Sequence, residues 1–598
     1  MTADENPAEP DAPFAAQPFL REQLHLAEPG AAERVAPGVR PLRRRDAVPE
    51  GVRRDLVPDA GRLRVARRFG TQDVIQALPR LSENAVSVQD LPLDIRESLK
   101  AVRPEIGRFH GAKFSLGYFP SHDVFSRCAD RFGYLTSSAV RTASKLPIDT
   151  ATRALLAELG HLMGNSGRET APDSATPAGY TYVGQFVDHD ITLDVSSALD
   201  SAVEIDAQVI NNMRSPSLDL DSVYGKGPAL DAFLYASPEP GEPDTAFRLL
   251  LGTNTPAGPG GPGGAAGFAG MVAQTDFDVP RTSAQTAIIG DPRNNENLIV
   301  SQLHHAMLRF HNAIVDLLVL GGFTGDVFVE AKRQTTLHYQ WAVLHDYLPR
   351  VCGQAAVDAA VAGVSAAVGS AFRMPVEFSV GAYRFGHSMV RDAYWLNFNF
   401  PNQPMSDVFA FVRPPRLPVL SNWVVDFNAF FDTGIPVPVH NKARKIDSVL
   451  ATALEDLDGN GLGALMSVLA TRNLLRGLVL GLPSGQAAAQ ALGVPVLTAA
   501  ELTAGLPADE VAVLNKQGGL LLSRTPLWYY VLREAMVTAN GEHLGPLGGK
   551  IVADTFLRML RRDGESILNV AFAPSLPRAD AATFTFADIV DVAGVTVP

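Results

Sequence analysis

The sequence predicts one large, mainly α domain behind a loose N-terminal arm. Three observations carry that expectation. Between Leu298 and Leu320 apolar residues recur at Leu303, Met307, Phe310, Ile314 and Leu317, the spacing of one helix face. Sustained polar–apolar alternation is scarce, so little sheet is expected. No internal repeat divides the 598 residues, a length that can bury a large core.

Residues 1–75 read as an extension: first Pro, Ala and acidic residues, then an Arg-rich stretch from Arg40 to Arg68 with few large apolar side chains. Residues 76–598 form the expected domain. Further helical stretches are predicted within Asp447 to Leu469 and Val511 to Leu560, and Pro256 to Gly270 reads as a flexible Gly/Pro loop.

Composition is that of an ordinary globular protein, 46% hydrophobic and 19% charged. A net charge of −13 argues against nucleic acid or an anionic membrane as the main partner. Cys128 and Cys352 are the only cysteines, which excludes a disulfide framework and thiolate metal sites and leaves one bridge open. The N-terminus lacks the basic start and apolar run of a secretory signal, and no stretch of about 20 apolar residues suggests a membrane span. The expected location is therefore cytoplasmic by default, with signal-less export open and oligomeric state unspecified.

Four segments carry candidate chemistry. In Gly184-Gln-Phe-Val-Asp-His-Asp190, three polar side chains stand side by side, about 100° apart on a helix, so Asp188, His189 and Asp190 need three different neighbours. Gln185 and His189 share a face. In Ser215-Pro-Ser-Leu-Asp-Leu-Asp221, oxygen-bearing residues alternate; the loop reads either as a solvated turn or as part of an oxygen shell for a hard cation such as calcium. Gly290-Asp-Pro-Arg-Asn-Asn-Glu296 opens a helix, with Arg293 and Glu296 three apart, and reads as capping with a local ion pair or as a site. Tyr383-Arg-Phe-Gly-His387 places Arg384 three before His387, which alone reads as a core histidine or a ligand. Asp456-Leu-Asp-Gly-Asn-Gly461 resembles an EF-hand opening, but Ser467 stands where the loop needs Glu, so a turn is expected. His304 and His305 are adjacent, diverge on a helix and read as packing residues.

Together and in this order, from about Gly179 to Pro483, the four segments resemble the animal-type haem peroxidase family within the peroxidase–cyclooxygenase superfamily. The resemblance implies that family's mainly α fold, with haem b buried between helices. It implies His189 as distal histidine, moving the peroxide proton; Gln185 as the distal glutamine beside it; and Arg293 as the arginine that stabilises charge developing in O–O cleavage. His387 would ligate the iron, Asn473 would hydrogen-bond the ligand's other nitrogen, and Arg384 is the matching arginine near the haem. Asp188 and Glu296 match the carboxylates that form ester links to haem. Asn297 stands where chloride-oxidising members carry methionine, so bromide, iodide, thiocyanate or phenols are the expected donors. Asp190, Ser215, Ser217 through its carbonyl, Asp219 and Asp221 match the calcium shell, with Asp221 replacing the serine of mammalian members.

The implied activity is a peroxidase that uses hydrogen peroxide to oxidise a small organic or halide donor. One alternative is a fatty-acid dioxygenase of the same superfamily, whose radical tyrosine lies three before the iron ligand, where this chain has Arg384. A non-catalytic, calcium-stabilised adhesion or interaction protein is another, and a catalase-like side activity is a further expectation.

Overall fold

The computed structural model describes residues 131–164, 173–194, 203–256, 276–364, 372–410, 419–455, 457, 467–576 and 583–596, with the backbone of 107–109 and 112–114. The 1–75 extension, Cys128, the Gly/Pro loop beyond 256 and most of the EF-hand-like segment lie outside the described residues. Within them helices dominate, and each sheet is a pair of short strands, as expected.

Side chains set many helix starts. Helix α1 (Thr150–Met163) begins where the Asp149 carboxylate accepts from the Thr152 N–H. Helix α2 (Gly179–Ile191) has no side-chain cap; its first N–H, on Gly179, donates instead to the carbonyl of Phe430 at 2.9 Å. Helix α3 (Leu298–Leu320) starts at Asn297, whose side chain accepts from the Val300 N–H, and α4 (Val327–Ala342) starts at Asp326 in the same way. Each such cap satisfies an orphan donor and contributes about 1 kcal/mol. The periodicity read between Leu298 and Leu320 thus corresponds to one helix with those ends.

Helix α2 is the element around which the rest is arranged. All its residues except Gly184 and Gln185 are buried, and it packs against α3 and the irregular turn Ala382–Met389 that carries His387. Strand Asp173–Pro177, pairing antiparallel with Lys442–Arg444, feeds directly into it.

Most of the helix expected within Asp447 to Leu469 lies outside the described residues; residues 447–455 form no α-helix, and Ser467 is helical. The Asp447 carboxylate accepts from the Val449 N–H, a local turn that competes with helix, and the Leu450 N–H donates to Met163 in α1. A short 3-10 turn, Thr452–Leu454, follows, and helix α5 spans Leu469–Val479. The C-terminal stretch is helical as expected, with α6 (Leu527–Ala539) and α7 (Pro546–Arg562). No helix among the described residues is long and apolar enough to cross a membrane.

Helices α1 and α5 touch at Gly160, where a Cβ would lie 2.6 Å from the Thr471 nitrogen and 2.8 Å from its Cα. Since α5 also carries Asn473, this contact sets the depth of that side chain. Gly160→Val is expected to destabilise the fold by about 1–3 kcal/mol, as overpacking does. A denaturant midpoint unchanged from the parent would show that the helices are free to separate.

Candidate active site

Four of the sequence-predicted residues meet where α2 faces the turn Pro292–Asn295 and the start of α3. Gln185 donates from Nε2 to Glu296 Oε2 at 3.0 Å, and His189 Nε2 lies 3.9 Å from the same oxygen. Their i, i+4 spacing therefore brings both onto one carboxylate. Asn297 donates from Nδ2 to Gln185 Oε1 at 3.1 Å while its own Oδ1 caps α3. The two contacts fix which end of the Gln185 amide faces Glu296.

His189 is wholly buried, and its ring is held from the far side. Nδ1 lies 2.9 Å from Asn294 Oδ1, and Asn294 Nδ2 lies 3.1 Å from His304 Nδ1. Because Asn294 Oδ1 can only accept, Nδ1 carries the proton and Nε2 keeps its lone pair. Nε2 is buried with no hydrogen-bond partner among the described residues. Burial first, then Arg293, lowers the His189 pKa to about 4, against weaker upward pulls from Glu296, Asp291 and Asp188. The imidazole is neutral at ordinary pH.

Arg293 is buried and bonded to Asp291 and to the backbone of α2. Its Nε lies 3.1 Å from Asp291 Oδ1, its Nη2 lies 2.7 Å from Asp291 Oδ2, and Nη2 also donates to the His189 carbonyl at 2.8 Å. Asp291 in turn takes a second guanidinium, with Arg214 Nε at 2.9 Å and Nη2 at 2.5 Å. Burial pushes the Asp291 carboxyl up, but Arg214 and Arg293 together hold it well below the usual carboxylate range.

The other flank of α2 meets the Ser215–Asp221 loop. Carboxylate oxygens of Asp190, Asp219 and Asp221 all lie within 4.8 Å of one another. Ser215 Oγ donates to Asp219 Oδ2 at 2.6 Å, and Ser217 is half-buried in the same loop. The loop bends rather than running extended, so strand-like alternation is not what aligns the oxygens. Leu220, buried with φ of 56°, takes the left-handed conformation that lets its N–H reach Asp190 Oδ2 at 3.2 Å. Burial, then Asp221 and Asp219, raise the Asp190 pKa well above normal. Three crowded carboxylates are the oxygen-rich donor set that suits a hard divalent cation.

His387 sits in the turn Ala382–Met389, which packs against α2, with Nδ1 2.8 Å from the Asn473 side-chain amide of α5. With Nδ2 facing the ring, Nε2 would carry the proton; with the amide turned over, Oδ1 accepts from Nδ1–H and leaves the Nε2 lone pair that a metal needs. Arg384 donates from Nε to the Ser379 carbonyl at 2.9 Å, and it lines a small cleft with Arg476, which pairs with Asp194 at 3.2 Å. Asp188, 8% exposed, accepts at 2.8 Å from Thr192 Oγ1. Tyr383 is buried, stacked on Phe378 at 4.6 Å, and its hydroxyl lies beside that of Tyr347. Cys352 is a buried free thiol.

Sequence reasoning missed Arg214, Asp291, Asn294, Thr192 and Arg476. Asp291 was within reach, since Asp-Pro-Arg is a helix-start signature, but the side-chain direction that pairs it with two arginines is not a spacing property. His304, read as packing, is buried and also anchors Asn294.

Several further imidazoles are buried in the interior. Burial lowers the pKa of His304 and His305 to about 3 and that of His311 and His338 to about 4. The unfolded chain protonates such groups near 6.5 while the folded chain refuses the proton. Their contribution to stability is thus full above 6.5 and declines as pH falls toward those values, by about 1.4 kcal/mol per pH unit for each group. His305→Gln should shrink the fall in Tm between pH 7 and pH 5. An identical fall in parent and variant would contradict this.

Comparisons with known proteins give the family. An animal haem peroxidase family profile matches residues 208–564. A dual oxidase from Drosophila melanogaster is 23% identical over 219 residues, 35% of this chain but only 13% of that protein's length. Among solved structures, peroxidase A from Dictyostelium discoideum is 17% identical with a TM-score of 0.49, covering 73% of this chain and 88% of that one. An Oryza sativa fatty acid alpha-dioxygenase is 13% identical with a TM-score of 0.50, covering 89% of this chain and 93% of that one, a likeness of fold. The chain belongs to the animal haem peroxidase family.

Proposed function

We propose that the protein is a haem peroxidase that uses hydrogen peroxide to oxidise small donors: phenols, bromide, iodide or thiocyanate. The observation that carries this reading is His189, a neutral imidazole with Nδ1 tied to Asn294 and Nε2 buried and unbonded beside Arg293. Such an atom is a general base awaiting a proton. Residues 76–598 form the catalytic domain and 1–75 an extension.

The residues present fit haem b. His387, oriented through Asn473, would hold the iron, and Arg384 with Arg476 would meet the two propionate carboxylates. Asp188 and Glu296, each steadied by one hydrogen bond, from Thr192 and Gln185, are the carboxylates available for ester links. Haem, when bound, supplies the redox centre that takes up the oxidising equivalents of peroxide. His189 Nε2 accepts the proton from peroxide and returns it to the departing oxygen. Arg293, buried and held between Asp291 and the His189 carbonyl, stabilises negative charge on that oxygen. Glu296 raises the basicity of His189, and Gln185 holds Glu296 in place. Calcium would sit among Asp190, Ser215, the Ser217 carbonyl, Asp219 and Asp221, bracing α2 next to His189.

Tyr383 supports a second reading. Its buried hydroxyl beside Tyr347 suits a tyrosyl radical, the chemistry of a fatty-acid dioxygenase. Arg384, at the position three before His387, favours the peroxidase. The buried, hydrogen-bonded placement of His189 and Arg293 argues against an adhesion protein without turnover.

Turnover of bromide and a phenol with peroxide, against oxygen uptake with linoleate, separates the readings in the purified holoprotein. Peroxide-dependent oxidation is expected; oxygen uptake without peroxide turnover would select the dioxygenase, and neither would select the non-catalytic protein. His189→Ala should slow the reaction with peroxide by about 2–4 orders of magnitude in stopped-flow while haem stays bound. In the parent that rate should hold from neutral pH down to about 4, where His189 becomes protonated. Glu296→Gln should move the fall to lower pH, since Glu296 raises the His189 pKa. His387→Ala should lose the normal Soret band.

A further inference from the structure

The pairing of Arg293 does not stop at Asp291. Arg214 carries the chain onward: its Nε and Nη2 bond Asp291, its Nη2 also donates to the Gly290 carbonyl at 3.2 Å, and its Nη1 lies 3.1 Å from Asp221 Oδ1. Arg214, Arg293 and Asp291 are 0% exposed, and Asp221 is 5% exposed. Asp221 belongs to the triple-carboxylate cluster, whose third member, Asp190, is the next residue after His189. One continuous buried ion chain therefore runs from the cation-binding loop to the arginine beside His189.

Its charges do not cancel. Four carboxylates (Asp190, Asp219, Asp221, Asp291) face two guanidiniums (Arg214, Arg293), an excess of two negative charges. A divalent cation at the cluster balances that excess. Asp221 is then shared between the cation and Arg214, and Asp291 between Arg214 and Arg293. Whatever changes the hold of Arg214 on one carboxylate changes its hold on the other, because one rigid planar fork serves both.

We propose that Arg214 and Asp291 are positioning residues that join the cation site to Arg293 as one electrostatic unit, with Arg214 weakening cation binding while it holds the peroxide-side arginine in place. The role of Arg293 rests on the peroxidase reading; the charge coupling at Asp221 does not. A merely structural Arg214 would support both ends of the chain, whereas this arrangement sets them against each other. Loss of its charge relieves repulsion at the cluster and frees Asp291 to swing, taking Arg293 with it.

The test is Arg214→Gln, with Arg214→Lys as the charge-keeping variant in case the first does not fold. Two measurements are made on holoprotein: calcium chloride titrated calorimetrically after chelation, and the rate of cyanide binding followed in the haem spectrum. For Arg214→Gln the calcium Kd should fall at least fivefold while the cyanide rate falls about tenfold. For Arg214→Lys, whose single ammonium cannot serve both carboxylates, calcium affinity should stay within about twofold of the parent and the cyanide rate should still drop. Calcium binding and cyanide rate weakening together in Arg214→Gln, or both staying at parent values, would overturn the coupling. So would a cyanide rate for Arg214→Lys equal to the parent's. A parent protein whose haem spectrum ignores both peroxide and cyanide would instead count against the peroxidase reading, and the calcium arm would still decide the charge coupling.

Discussion

A helix buried on every side tolerates three consecutive polar residues only if each finds its own partner, and α2 meets that demand at Asp188, His189 and Asp190. Asp188 turns to Thr192, His189 to Asn294, and Asp190 to the Leu220–Ser222 backbone and its fellow carboxylates. Thr192 is the C-cap of α2 itself, whereas the partners of His189 and Asp190 come from segments farther along the chain, so satisfying the helix gathers the candidate site. An unmet demand of this kind costs about 1–3 kcal/mol per group, enough to matter against the small net stability of a fold.

The same constraint explains why the histidines are quiet. His189, His304, His305, His311 and His338 are all held neutral by burial, and each has a ring nitrogen near a carbonyl, amide or hydroxyl group. Among the described residues His189, His304 and His305 each keep a buried, unbonded ring nitrogen, and that of His189 lies 3.9 Å from the Glu296 carboxylate. Function here is a difference in what the second nitrogen meets rather than in burial.

Much of this could be read from residue order. The periodicity of Leu298 to Leu320 marked α3 to the residue, and the polar run of α2 marked the site before any fold was known. Residues 447–455 depart from their helical apolar spacing because the Asp447 side chain captures the Val449 N–H there. The ion chain was hidden for another reason. Arg214, Asp291 and Asp221 are ordinary residues at ordinary spacings, and only the left-handed Leu220 and the Asp291 cap turn them toward one another. Spacing reports which residues share an element; it says little about partners recruited across elements. The cysteines illustrate the limit from the other side, since pairing was open in sequence and Cys352 is a buried free thiol.

Asn297 carries a lesson about inheritance. It closes the first turn of α3 through Val300 and steadies Gln185 through the same side chain. Methionine there, the residue that the resemblance associates with harder halide chemistry, would remove a cap worth about 1 kcal/mol and release Gln185 in one step. Innovation at this position is therefore pleiotropic. Any change made here is felt at once by the start of α3 and by the Gln185 amide.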